Sequence, residues 1–167
     1  MSGIVMRHFV KCLFSGRAEA LVYQVDEQTS ARIRRNLSGD GAGFCCFTTL
    51  DGRDVAVNLA GLDLIHFLWD AASPELSAIE HHPTCVYFVD RAEPFVCDPQ
   101  EGEEAFNAFS LLELNGAVDE PIIELTDEDG EIVALDTRRV QAIEMSSALI
   151  AEGAPRLDEE AERDPSE

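Results

Sequence analysis

Few residues in this chain combine reactive side chains with a spacing that could do chemistry. His81-His82-Pro83-Thr84-Cys85 places two imidazoles and a thiol side by side. Imidazole nitrogen and thiolate are zinc ligands, and zinc takes three or four of them in a tetrahedron. His66, Cys97 or His8 would have to complete such a site through the fold. Adjacent histidines in a strand point to opposite faces, so the competing expectation is a solvated linker followed by a strand whose Cys85 packs inward. Cys45-Cys46 divides in the same way, one thiol in and one out. With no Arg, Lys or His close in sequence to lower a thiol pKa, both read as packing residues. Asn58 and Asp136 hold equivalent places where a hairpin ends. They are candidate twin binding residues, or caps that bond to nearby backbone in the turn. Asp51, Asp129 and the carboxylates around Asp127 and Glu131 read as turn residues at hairpin tips, and they do not match an EF-hand loop. No GxGxxG, GxxxxGK[ST] or GxSxG occurs, so neither a phosphate loop nor a nucleophile elbow is indicated.

The elements that would position these groups are written twice. DGRDVAVNLAGLDLIHF (51–67) is followed 78 residues later by DGEIVALDTRRVQAIEM (129–145). Upstream, FSGRAEALVY (14–23) matches FVDRAEPFVC (88–97) at an offset of 74. Colinear matches of this kind predict an internal tandem duplication. Each copy reads as two short strands around a turn, a helix, a hairpin closed by Asp-Gly, and a final strand: ββα-βββ. Asx-Gly between β-rich runs is a strong hairpin signal. Asp26 is the expected cap of the first helix, and Asp98-Pro99-Gln100-Glu101 reads as a capping box for the second. Pro94 predicts an edge strand. The expected fold class is therefore α+β, each half a small curved antiparallel sheet or barrel with one helix. The divisions are residues 1–70 for the first repeat, 71–81 for a linker in which Ser73-Pro74-Glu75 begins a short helix, 82–150 for the second repeat, and 151–167 for an acidic disordered tail. Sixty residues is marginal for a lone unit, so the two copies are expected to share a buried surface, as subunits of a dimer do.

Composition narrows the partners. The chain of 167 residues has 33 acids against 12 bases and a formal charge of −21. The last twelve residues account for only −4 of it, so the excess lies on the folded body. Such a body repels phosphate backbones and anionic lipid; a membrane partner is not expected, and nucleic acid is disfavoured. The five cysteines, an odd number with no CxxC, argue against a secreted disulfide framework. The N-terminal stretch lacks the apolar core of a signal peptide. A cytoplasmic location is the expectation.

The segment DGRDVAVNLAGLD resembles the first signature of Sm-like small β-barrels, in which a helix precedes a DG hairpin and a leucine, glycine and aspartate follow. That resemblance implies a small-barrel fold. It also implies an RNA-contacting asparagine, but Phe67 and Met145 stand at those positions and no arginine-glycine signature follows. An RNA-binding alternative would need Arg32, Arg34, Arg35, Arg138 and Arg139 to gather into one patch. A metal-dependent enzyme around His81, His82 and Cys85 is the other alternative, with zinc as its cofactor; otherwise no cofactor is expected. The leading expectation is a non-enzymatic binding or assembly module that uses a protein partner or self-association. Leu68-Trp69 either closes the barrel end, the preferred reading, or forms a contact patch of the kind tryptophan favours.

Overall fold

The computed structural model describes residues 5–37, 43–72, 81–113 and 121–155. Among them are ten strands in antiparallel sheets and three α-helices, an α+β fold. The first half runs β1 (Val5–Phe14), β2 (Leu21–Val25), α1 (Glu27–Leu37), β3 (Phe44–Thr48), β4 (Arg53–Asn58), a 3-10 turn (Leu59–Gly61) and β5 (Leu62–Ala72). The second half runs β6 (Thr84–Phe88), β7 (Phe95–Cys97), α2 (Gly102–Glu113), β8 (Ile122–Thr126), β9 (Ile132–Asp136), a 3-10 turn (Thr137–Arg139), β10 (Val140–Ser146) and α3 (Ser147–Gly153). The expected ββα-βββ order therefore occurs twice. The sequence patterns did not foretell α3. Ser73-Pro74-Glu75 and the acidic residues from Arg156 onward lie outside the described residues.

Local signals account for the elements. Asp26 accepts the Thr29 N–H at 2.6 Å and so caps α1. Gly52 and Gly130 take φ of 92° and 80° in the two DG turns, a region where a Cβ is strained. The capping box at Asp98 does not form. Glu128 accepts the Asp98 backbone N–H at 2.8 Å, and Gln100 donates to the Asp98 carbonyl. These contacts keep the segment irregular, and α2 starts at Gly102. Pro94 directly precedes β7, the edge strand of its sheet, as its missing N–H requires.

Strand pairing repeats with a fixed offset. In the first half Cys12 faces Ile65, Leu13 faces Leu64, and Phe14 faces Leu62. In the second, Val86 faces Ile143, Tyr87 faces Ala142, and Phe88 faces Val140. The ladder slips at the same place in both, leaving Asp63 and Gln141 as the extra residues of equivalent β-bulges. The halves differ in how they join. The three-stranded sheet has the order β2-β1-β5, whereas the five-stranded sheet runs β3-β4-β10-β6-β7 and so mixes both halves. The β8–β9 hairpin stands as a two-stranded sheet.

Two cores flank the β4–β10 pair. Alternation along β4 sends Val55 and Val57 into the first core and Ala56 into the second. On β10, Ile143 and Met145 enter the second core and Ala142 the first. The bulge at Gln141 turns Val140 to the same core as Ile143. Packing α3 on α2 requires a close backbone approach: a Cβ on Gly153 would lie 1.8 Å from the Gly102 carbonyl oxygen.

Candidate functional site

The chemically densest region is the junction where the halves meet. β4 and β10 pair through Ala142–Val57, Ile143–Ala56, Glu144–Val55, Met145–Asp54 and Ser146–Arg53. Glu144 is only 4% exposed, so it needs partners for its charge. The Tyr23 hydroxyl donates to its Oε2 at 2.5 Å, and Arg53 Nη1 donates to its Oε1 at 3.0 Å. Arg53 also grips the Asp51 carboxylate at 2.9 Å and stacks over the Tyr23 ring at 5.4 Å. Burial, together with the Glu144 charge, pushes the Tyr23 phenol well above its ordinary value. Burial with the same carboxylate raises Tyr87 to about 12. Desolvation pushes Asp51 up, but hydrogen bonds from Arg53 and Thr49 outweigh it and hold the carboxyl below its usual range. All these groups are mutually satisfied, and no buried side-chain N or O among the described residues lacks a partner. The cluster is a latch between halves.

A second contact spans the turns. Arg17, between β1 and β2, donates to Gln141 Oε1 at 3.0 Å and to the carbonyls of Ala92 and Arg91 at 2.9 and 3.0 Å. It also lies 5.0 Å from the Tyr87 ring centre. Gln141 Nε2 donates back to the Ser15 carbonyl at 3.0 Å. The matching Arg-Ala-Glu tripeptides, 17–19 and 91–93, thus face each other across a cleft of about 660 Å³.

The first DG hairpin is docked. His82 Nε2 meets the Asp51 carbonyl at 2.7 Å, the Ser147 N–H donates to the Gly52 carbonyl at 2.9 Å, and Ser147 Oγ donates to Asp54 at 2.8 Å. The second hairpin packs Ile123, Leu125 and Leu135 into the second core and is tied to Asp98 and Glu104, but its outer edge is left open among the described residues. Asp127 accepts the N–H groups of Asp129 and Glu131 within its own tip, Ile132 is 71% exposed, and Ala134 is exposed.

The same contrast holds for the final strands. β10 is paired on both edges, and six of its seven residues are buried. β5 has β1 on one edge and no second ladder partner among the described residues. Leu64, the counterpart of fully buried Ala142, is 50% exposed. A long edge of unpaired N–H and C=O groups is a template for pairing with another chain.

The residues singled out in the sequence fall in three places. Asn58 accepts the Ala60 N–H at 3.0 Å and donates to the Val140 carbonyl at 2.9 Å, so it caps a turn and ties it to β10. Asp136 accepts the Arg138 N–H at 3.1 Å and pairs with its guanidinium at 2.9 Å, an equivalent cap. Trp69, expected at a closed barrel end, is 68% exposed on β5. His81 bonds to Asp98 at 3.0 Å, away from the contact His82 makes with Asp51. Cys85 is half-buried with its pKa raised by burial, and burial pushes Cys12 and Cys46 up to about 12. No group of three or more His, Cys, Asp or Glu among the described residues could hold a metal ion. No helix among them is long and apolar enough to cross a membrane. Sequence reasoning passed over Tyr23, Arg53 and Glu144; its one available signal was a glutamate between the apolar Ile143 and Met145 of β10. No protein-family model matches this chain, and no curated protein or solved structure matches it either.

Proposed function

We propose that this protein is a non-enzymatic assembly module that binds polypeptide by adding a strand to the open edge of β5. The observation that carries this reading is the contrast between two strands with the same register to their neighbours. β10, bonded on both edges, is buried; β5, bonded on one, leaves Leu64 half exposed and Trp69 68% exposed. Main-chain hydrogen bonds to an added strand supply affinity in such complexes, and alternate side chains supply specificity. The internally satisfied Tyr23–Glu144–Arg53 cluster supports a scaffolding role for the rest of the molecule.

A photoreactive side chain at position 64 tests the reading inside growing cells. It should form an adduct with a polypeptide, while the same group at exposed Glu19 should not. No adduct at 64, or equal labelling at both positions, overturns it.

A further inference from the structure

The strand that fits the β5 edge is already present in the chain. The offset that carries β5 onto β10 also carries β4 onto β9. Ala142–Val57, Ile143–Ala56, Glu144–Val55 and Met145–Asp54 correspond to Leu64–Leu135, Ile65–Ala134, His66–Val133 and Phe67–Ile132. Within one molecule the first set is formed and the second is not, because β9 pairs only with β8 among the described residues.

We propose that β9 of a second copy pairs antiparallel with β5, repeating between chains the β4–β10 pairing formed within one. This rests on the assembly reading above and names its partner.

Three independent features support the match. Backbone polarity is right: the Asp127 N–H donates to the Glu131 carbonyl and the Thr137 N–H to the Pro121 carbonyl. Alternation between these bonds turns the N–H and C=O of Ile132, Ala134 and Asp136 away from β8. Burial is complementary. Ala56 and Ala142, which cross into the opposite cores, are both fully buried, whereas their counterparts Ala134 and Leu64 are both exposed. Each therefore presents an apolar side chain that lacks a core to enter. The polar side chains also match, with acid and partner exchanged between the strands. Arg53, which reaches Glu144 at 3.0 Å from one diagonal step along the ladder, corresponds to Glu131 one diagonal step from His66, and both of these are exposed. The contact is head-to-tail, so it closes as a ring of copies or continues as a filament.

Native mass measurement on purified chain should give species larger than one copy. Ala134→Pro removes an outward-facing N–H but no β8–β9 bond, and should return the mass to one copy with unchanged circular dichroism. His66→Glu sets two carboxylates one diagonal step apart, where Arg53 and Glu144 meet in the formed pairing, and should weaken assembly about tenfold or more. Adding Glu131→Arg to it recreates the Arg53–Glu144 pair and should restore assembly. The adduct from position 64 should map to residues 131–136 of another copy. Single-copy mass at high micromolar concentration, or a double variant as weak as His66→Glu, overturns the inference. If the adduct is made only with a different polypeptide, the inference fails and strand addition survives. If none forms at all, both fail.

Discussion

The two Asp-Gly hairpins share their turn residues and reach opposite fates. The tip at Asp51-Gly52 is held by His82 and Ser147, and its second strand is zipped to β10. The tip at Asp129-Gly130 bonds mostly to itself, and its second strand has no ladder partner besides β8 among the described residues. The difference lies in what each hairpin meets after it forms, since the turns are alike: Gly52 and Gly130 adopt φ of 92° and 80°. A hairpin signal specifies a local shape, whereas a strand edge is completed only by whatever chain arrives beside it.

Substitutions at equivalent positions sharpen this comparison. The largest gap is expected for Glu144→Ala against His66→Ala. Removing Glu144 strips the buried Tyr23 hydroxyl and Arg53 of their partner, and should cost about 3 kcal/mol in denaturant unfolding. His66→Ala, at an exposed site, should stay within about 0.5 kcal/mol in dilute solution. Equal costs would mean that the junction is no more latched than the open edge. Next, Ile143→Ala should cost about 3 kcal/mol. Ile65→Ala, the same change at a half-buried counterpart, should cost about 1 kcal/mol, rising with protein concentration as β5 becomes covered.

A pH titration separates the regions again. The chain has only two tyrosines, and both have raised folded pKa values, Tyr87 to about 12 and Tyr23 well above its ordinary value. A phenol kept neutral in the folded state contributes its full stability below the unfolded value near 10. That contribution is lost as pH rises from there through the folded value. Unfolding free energy should therefore begin to fall near about pH 9, where buried thiols such as Cys12 and Cys46 ionise on unfolding, and fall more steeply above about pH 10, the second loss being smaller in Tyr23→Phe. The position matching Tyr23 in the second half is Cys97, whose thiol burial also raises, to about 11, so it is the difference between wild type and Tyr23→Phe that reports on the junction. Phenolate absorbance appearing at an ordinary tyrosine pH would contradict it. The smallest effect concerns Trp69, the only tryptophan. Trp69→Ala should change stability by about 0.5 kcal/mol or less, while wild-type fluorescence should shift to the blue as concentration rises.

Much of the fold was legible because its signals are local. The DG turns, the Asp26 cap and the twin caps Asn58 and Asp136 each bond within three residues along the chain. The edge position of β7 followed from one proline. Partners distant in sequence were not legible. Glu144 lies 121 residues from Tyr23 and 91 from Arg53, and nothing in its neighbours announces either. The capping box at Asp98 misled for the same reason, since Glu128, thirty residues on, takes the N–H that the box needs. Alternating patterns say which face of a strand is buried. They do not say which strand lies at its edge, and so the β4–β10 exchange between halves was invisible.

Amide hydrogen exchange on β5 and β10, at low and high protein concentration, tests the central claim most directly. Amides of β10 should exchange slowly at both. Those of β5 that face away from β1 should exchange fast when dilute and slowly when concentrated, and Ala134→Pro should abolish the protection. Exchange on β5 that ignores concentration would contradict the account, because its open edge would then have no partner in a second copy.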